Sequence, residues 1–352
     1  MKAKNKEFEH DWLNFLNNGS LLELTKRWEK SIPYPQKVKL KNNIKLSLSG
    51  TGILSITPEQ ISNVSVVISS GIHGNETAPI EILNELIKKI IKGEISVQIN
   101  LLLIVGNPPA MNISKRFLKQ NLNRLFSQKY KESETQDYET LRAEEIENEV
   151  KQFYGDIYPS EKQERYHFDL HTAIRASKFK KFVVYPYQGS KLWNKEHIAF
   201  FGGSDITTVL LGNQPAGTFS YYTSDQFGAD SATVELGKVK PFGENDMSEF
   251  EGITNNLISL IENKSTKLLE FDNEKYRVFQ VKQEIIKVND NFKLLVDDDL
   301  KNFTSFKKGH LLASDDENEK YVVENDGEAI VFPNNNVPIG QRVAVLLEEI
   351  NL

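Results

Sequence analysis

Val64-Ser-Val-Val-Ile-Ser-Ser-Gly-Ile-His73-Gly-Asn-Glu76-Thr-Ala-Pro-Ile80 is the stretch that decides the fold class. Val64 to Ser70 is short and β-branched, the pattern of a buried strand, and Gly71 ends it. Thr77-Ala-Pro-Ile80 then opens a helix, with Pro79 suited to the first turn and Ile82, Leu83, Leu86, Ile87 and Ile90 on its apolar face. A second buried strand, Ile99 to Val105, follows and is closed by Gly106-Asn-Pro-Pro109.

The same alternation extends outward. Residues 1–45 read as a helical lead-in, with Leu21, Leu22, Leu24 and Trp28 at helical spacing until Ile32-Pro-Tyr-Pro35 breaks the pattern. Ile44, Leu46 and Leu48 alternate as a strand. Asp137 to Tyr154 reads as a surface helix, Tyr166 to His171 and Ser231 to Gly237 as strands, and Phe250 to Ile261 as a further helix. Strands interleaved with helices predict an α/β fold, a mixed sheet flanked by helices. After about Lys267 the pattern changes to short strands: Tyr276–Val281, Phe292–Val296, Tyr321–Val323, Ala329–Phe332 and Val343–Leu347. The 352 residues, at roughly 150 per domain, thus divide into an α/β domain over 1–266 and a small all-β domain over 267–352. Between those late strands lie Asp297-Asp-Asp299 and Asp315-Asp-Glu317; they read as solvated turns, since a calcium loop would need regular alternate ligands and a glycine.

Composition narrows the chemistry. A net charge of −6 gives no overall basic field for nucleic acid or an anionic membrane, so an anionic ligand must be met by local cations. The absence of cysteine excludes disulfides, iron–sulfur centres, thiolate zinc sites and a cysteine nucleophile. The N-terminus is charged and lacks the apolar core of a secretion signal, and no apolar run approaches the ~18–20 residues of a membrane span. A soluble, cytoplasmic protein is expected.

His73 and Glu76 stand three positions apart in the turn that leaves a buried strand, at the sheet edge where open α/β sheets hold their ligands. In Tyr166-His-Phe-Asp-Leu-His171, strand alternation puts His167, Asp169 and His171 on one face, with Phe168 and Leu170 on the other. His73, Glu76 and His171 form a catalytic zinc set, leaving a fourth position for a water whose pKa falls towards ~7. Asp169 is the natural hydrogen-bond partner of a ligand histidine. Glu235, the one carboxylate in Ala232-Thr-Val-Glu-Leu-Gly237, can move the proton between water and a leaving amine; its blander reading is a buried glutamate paired with a cation. Lys115-Arg116 and Asn123-Arg124 supply forks for carboxylates or an oxyanion, or else a solvated basic turn.

With those residues assembled, the sequence resembles the succinylglutamate desuccinylase/aspartoacylase family, a branch of the zinc-carboxypeptidase superfamily. Six ordered motifs between about Gly50 and Gly243 carry the resemblance: Gly71-Ile-His-Gly-Asn-Glu-Thr-Ala-Pro-Ile80, Gly106-Asn-Pro-Pro-Ala110, Lys115-Arg-Phe117, Asn121-Leu-Asn-Arg-Leu-Phe126, Asp169-Leu-His-Thr-Ala-Ile-Arg175 and Glu235-Leu-Gly-Lys-Val-Lys-Pro-Phe-Gly243. The resemblance implies one zinc on His73, Glu76 and His171, Glu235 as general base and acid, Arg116 on the scissile carbonyl, and Asn123 and Arg124 on a substrate carboxylate. It also implies a small β domain near the active-site entrance. Asn121 departs from the aspartate usual at this place, which would weaken the clamp if that aspartate orients Arg124. The Asp-Leu-His-Thr-Ala-Ile-Arg and Glu-Leu-Gly-Lys…Pro-Phe-Gly forms are closer to the branch that hydrolyses N-succinyl-L-glutamate to succinate and glutamate, the last step of arginine catabolism by succinylation. Arg175 and Lys238 are further cation candidates for that small anionic substrate. Another N-acylamino acid as substrate, or a catalytically silent metal-binding protein, are the competing expectations; oligomeric state stays open, a homodimer included.

Overall fold

The computed structural model describes residues 2–60, 62–155, 163–315 and 320–352. Two helices open the chain, α1 (Lys2–Asn18) and α2 (Leu21–Arg27). The antiparallel strands β1 (Gln36–Lys39), β2 (Lys45–Gly50) and β3 (Ile53–Thr57) lead to β4 (Val64–Ser70). Next come α3 (Thr77–Ile91), β5 (Asn100–Val105), the short α4 (Pro108–Asn112), α5 (Tyr138–Gly155) and β6 (Glu164–Ala173). The central region closes with β7 (Phe182–Tyr185), α6 (Lys195–Gly203), β8 (Thr208–Leu211), α7 (Phe219–Phe227), β9 (Asp230–Lys238) and α8 (Glu251–Ile261). The remainder is β10 (Arg277–Ile286), β11 (Lys293–Leu294), β12 (Thr304–Ser305), β13 (Leu311–Ser314), β14 (Lys320–Val322), β15 (Ala329–Val331) and β16 (Arg342–Ile350).

Thirteen of these strands form one mixed sheet in the order β1-β2-β3-β5-β4-β6-β9-β7-β8-β10-β16-β15-β12, and β11-β13-β14 form a second, smaller sheet. At its centre β5, β4, β6 and β9 run parallel. Strand alternation divides their side chains between two cores. Val66, Ile68, Leu101, Leu103, Phe168 and Leu170 join one cluster, whereas Val67, Leu102 and Ile104 join another on the opposite face. The first cluster is covered by α3, which buries Ile82, Leu83, Leu86, Ile87 and Ile90, each worth roughly 1.5–3 kcal/mol when fully withdrawn from water. Ala143, Ile146 and Val150 of α5 and Phe219 and Tyr222 of α7 cover the second. The chain passes from β4 to β5 on one side and later to β6 on the other, so a crevice opens at the carboxyl ends of β4 and β6.

The helical lead-in is shorter than expected, and the expected late β strands are present but share the main sheet. The helical lead-in stops at Arg27, and residues 36–39, expected within it, are already a strand, with Val38 opposite Leu46. Only one of the four residues of β1 is apolar, too little for its period to register. Beyond Lys267 the strands continue the main sheet, because β10 pairs in parallel with β8 from Arg277↔Thr208 to Gln280↔Leu211. Among the acidic turns, Asp298 offers its carbonyl to Arg175, while Asp316 and Glu317 lie outside the described residues.

Candidate metal centre and active site

The turn from β4 to α3 carries two ligand candidates, and glycine shapes it twice. Gly71 takes φ +62°, a left-handed conformation. A Cβ on Gly74 would lie 2.2 Å from the backbone nitrogen of Met111 in α4, so the residue directly after His73 has no room for a side chain. Glu76 occupies the N-cap position of α3 but makes no side-chain capping bond, which leaves its carboxylate to the crevice. His171 arrives from β6, and Glu235 stands opposite it on β9 in the parallel register.

His73, Glu76 and His171 converge, with one donor atom from each lying within 4.8 Å of the others, all three buried. Glu76 Oε2 is 2.8 Å from His171 Nδ1 and accepts the Thr172 N–H at 3.0 Å. Glu76 Oε1 accepts from Arg116 Nη1 at 2.7 Å and lies 2.9 Å from His73 Nδ1. That His73 nitrogen is sealed from solvent and, among the described residues, has no hydrogen-bond partner. A buried donor atom left unsatisfied beside a carboxylate and a second imidazole fits a divalent cation of zinc's preference for nitrogen and oxygen ligands.

The outward ring nitrogens are held as well. His73 Nε2 donates to Asn121 Oδ1 at 2.9 Å, and His171 Nε2 donates to Asp169 Oδ2 at 3.0 Å, so each ring turns Nδ1 inward. The Asn121 side chain therefore orients His73 and caps the Asn123 N–H at 3.1 Å, while Arg124 meets Asn121 only through its backbone N–H, which donates to the Asn121 carbonyl at 2.9 Å. Burial lowers the pKa of His73 to about 4, with Glu76 only partly opposing it, so the ring is neutral. For His171 burial also works downward, but Asp169 and Glu76 on either side hold it well above its ordinary value. Glu76 is held well below the usual carboxylate range, since the two histidines outweigh its burial.

Glu235 is buried and, among the described residues, forms no ion pair; its Oε2 has no hydrogen-bond partner. The bland expectation of a cation-paired glutamate is thus not met. Burial first, and the Glu76 charge next, raise its pKa to about 7, where a carboxylate both takes and gives a proton.

The basic residues separate into groups. Arg116 reaches the centre through Glu76, and its carbonyl accepts the Gly74 N–H at 3.1 Å, tying its loop to the ligand turn. Asn123 is buried with Oδ1 on the Phe219 N–H at 2.9 Å, and its Nδ2 makes no hydrogen bond among the described residues. Arg124 is exposed and remains a cation, although desolvation of its head and then Arg342 and Arg116 nearby pull it down to about 9. Arg175 donates to the Asp298 carbonyl, and Lys238 is exposed at the end of β9 with no ion pair among the described residues.

Sequence reading missed three participants. Arg342, paired with Glu284 at 2.9 Å, brings β16 and β10 close enough for both charges to act on Arg124. Glu139, fully buried in α5, accepts the Leu118 N–H at 2.6 Å and Asn107 Nδ2 at 3.1 Å, pinning the loop that carries Arg116. Its signal was a carboxylate on the apolar side of a helix; Arg342 gave none, because only the closure of β16 on β10 brings it near the crevice.

Comparison with known proteins agrees with this geometry. Residues 62–261 match the succinylglutamate desuccinylase/aspartoacylase catalytic domain, and residues 274–350 match the AstE/AspA barrel-sandwich hybrid domain. The chain is 46% identical over 326 residues to a succinylglutamate desuccinylase of Pseudoalteromonas atlantica, with 92% of each chain covered. It is 40% identical to that of Idiomarina loihiensis, covering 92% of this chain and 94% of the relative. Among solved structures, the succinylglutamate desuccinylase of Vibrio cholerae superposes with a TM-score of 0.86 at 33% identity, covering 94% of this chain and 95% of the other. That of Chromobacterium violaceum gives 0.83 at 32%, covering 95% and 98%. A crevice of this make-up, on a chain alike from end to end, places the protein in the succinylglutamate desuccinylase/aspartoacylase family.

Proposed function

We propose that the protein is a zinc-dependent amide hydrolase that converts N-succinyl-L-glutamate and water to succinate and L-glutamate, the last step of arginine catabolism by succinylation. The observation that carries the reading is a buried, unpaired Glu235 facing the His73–Glu76–His171 cluster, in a chain whose relatives are named for this reaction. A cytoplasmic setting suits such a catabolic step. Residues 1–266 form the catalytic unit in this reading and 267–352 a β domain beside its entrance, in keeping with the charges of Arg342 and Glu284 near Arg124.

His73, Glu76 and His171 hold the metal. When bound, zinc supplies a Lewis acid and lowers the pKa of a water towards ~7. Glu235 takes that water's proton at its unpartnered Oε2 and returns it to the amide nitrogen as the bond breaks. Arg116, whose fork stands at Glu76, holds the oxygen of the scissile carbonyl as negative charge develops there. Asn123 and Arg124 bind a substrate carboxylate, with Arg175 and Lys238 as further cation candidates at the rim. Asp169 keeps His171 in register.

Glutamate release from N-succinyl-L-glutamate, measured on metal-depleted and zinc-restored protein beside N-acetyl-L-aspartate, tests the reading. Zinc-dependent turnover favouring the succinyl substrate is expected. Glu235→Gln should keep its zinc and lose roughly 10²–10⁴-fold in turnover. Preference for the acetyl substrate would overturn the substrate assignment; full activity in Glu235→Gln would overturn the proton-transfer role.

A further inference from the structure

Asp169 lies in the middle of β6 with no exposed surface, and only one of its oxygens is used by His171. The other, Oδ1, is 2.5 Å from Ser69 Oγ, because Ser69 of β4 stands opposite Asp169 in the parallel register. Ser69 Oγ is in turn 2.9 Å from His167 Nε2, and His167 Nδ1 is 2.8 Å from Thr223 Oγ1 on α7. Thr223 Oγ1 is 2.8 Å from Ser231 Oγ on β9, opposite His167. Ser69, His167, Thr223 and Ser231 have no exposed surface either, so water cannot complete any of their bonds.

Proton counting fixes the direction of this chain. A hydroxyl carries one proton, and Ser69 gives its own to the Asp169 carboxylate across the short charge-assisted contact. Ser69 Oγ can then only accept from His167, so the ring proton sits on Nε2. A neutral imidazole has no second N–H, so Nδ1 accepts from the Thr223 hydroxyl. Burial, which lowers the pKa of His167 to about 4, keeps the ring in that neutral form. Thr223 then accepts from Ser231; its contacts with the Ser220 and Phe219 carbonyls are longer, at 3.1 and 3.3 Å. With the opposite tautomer, a lone pair of His167 would face Ser69 at 2.9 Å with no proton between them.

We propose that Ser231, Thr223, His167 and Ser69 form a one-directional hydrogen-bonded relay that pins Asp169 as the acceptor of the His171 Nε2–H, so that His171 presents its Nδ1 lone pair to the metal. Each donor polarises the next, and the last rests on the carboxylate. These are positioning residues, and the inference rests on the reading of His73, Glu76 and His171 as a metal site.

Two measurements on the full chain test it. A long-range ¹H–¹⁵N spectrum of the ¹⁵N-histidine protein should show His167 as the Nε2–H tautomer; a proton on Nδ1 overturns the relay without reference to any metal. Zinc affinity by chelator competition should fall about tenfold in Thr223→Val and stay near the parent value in Thr223→Ser, which keeps the hydroxyl. Unchanged affinity in a Thr223→Val protein that still unfolds cooperatively overturns the proposal, as does an equal loss in both variants, which would assign the effect to packing. If the parent chain binds no zinc, the metal reading falls and the role of the relay with it, while the tautomer still reports whether the hydrogen-bonded chain exists.

Discussion

At the scale of single residues, the buried histidines divide by their neighbours. His171 has carboxylates on two sides, whereas His197 has aromatic rings around it: Tyr166, Phe168, Tyr185 and Phe201 lie 5.0–5.8 Å away, centroid to centroid. Its Nδ1 meets Tyr185 Oη at 3.2 Å and its Nε2 has no partner among the described residues, so burial lowers its pKa to about 4. An unfolded chain takes up this proton below about 6.5 and the folded chain only below about 4, so stability declines as pH falls through that window and levels off beneath it. The loss at pH 5 is about 2 kcal/mol for such a ring. His197→Phe should flatten the fall of the melting temperature between pH 7 and 5. A fall as steep as the parent's would show that this ring is not what acid attacks.

At the scale of elements, the ligand turn depends on its packing against α4. The 2.2 Å left for a Cβ at Gly74 is closed by the backbone of Met111 and Ala110, which cannot rotate out of the way as a flexible side chain can. Gly74→Ala therefore has to push the turn off α4, moving His73 and Glu76 with it. The expected outcome is a loss of roughly 1–3 kcal/mol in stability, as for other overpacked sites, together with much weaker zinc retention. Calorimetry and chelator competition on the same sample check both; an alanine variant with parental zinc affinity would mean the turn tolerates the shift.

At the scale of the whole molecule, the late strands belong to the sheet as much as to their own lobe. Phe182 of β7 and Leu210 of β8 share a buried cluster with Phe279, Phe303, Val345 and Leu347, all from beyond residue 267. Cutting the chain after residue 266 would uncover that cluster and leave β8 with an open edge, a template for aggregation. The shortened chain is expected to aggregate and to show no cooperative melting transition. Cooperative melting near the temperature of the full chain would make the late strands dispensable for the fold.

The sequence by itself determined the central strands and picked out the candidate ligands His73, Glu76 and His171 that the fold brings together, because both are written in local signals. Val64–Ser70 is a strand at those bounds, Asp169 and His171 fall on the face opposite Phe168 and Leu170, and a His and a Glu in a strand-to-helix turn mark the crevice. Short elements such as β7 and β8, four residues each, carried too few periods to be read. Only the tertiary structure decided that Glu235 is unpaired, that the Asn121 side chain serves His73 instead of Arg124, and that Ser69, His167 and Thr223 connect behind Asp169. Those facts depend on the register of β4, β6 and β9 and on how α7 lies across them. Side chains 40 to 100 positions apart meet in and behind this crevice, and no periodicity along a chain encodes which distant partner a buried polar atom will find.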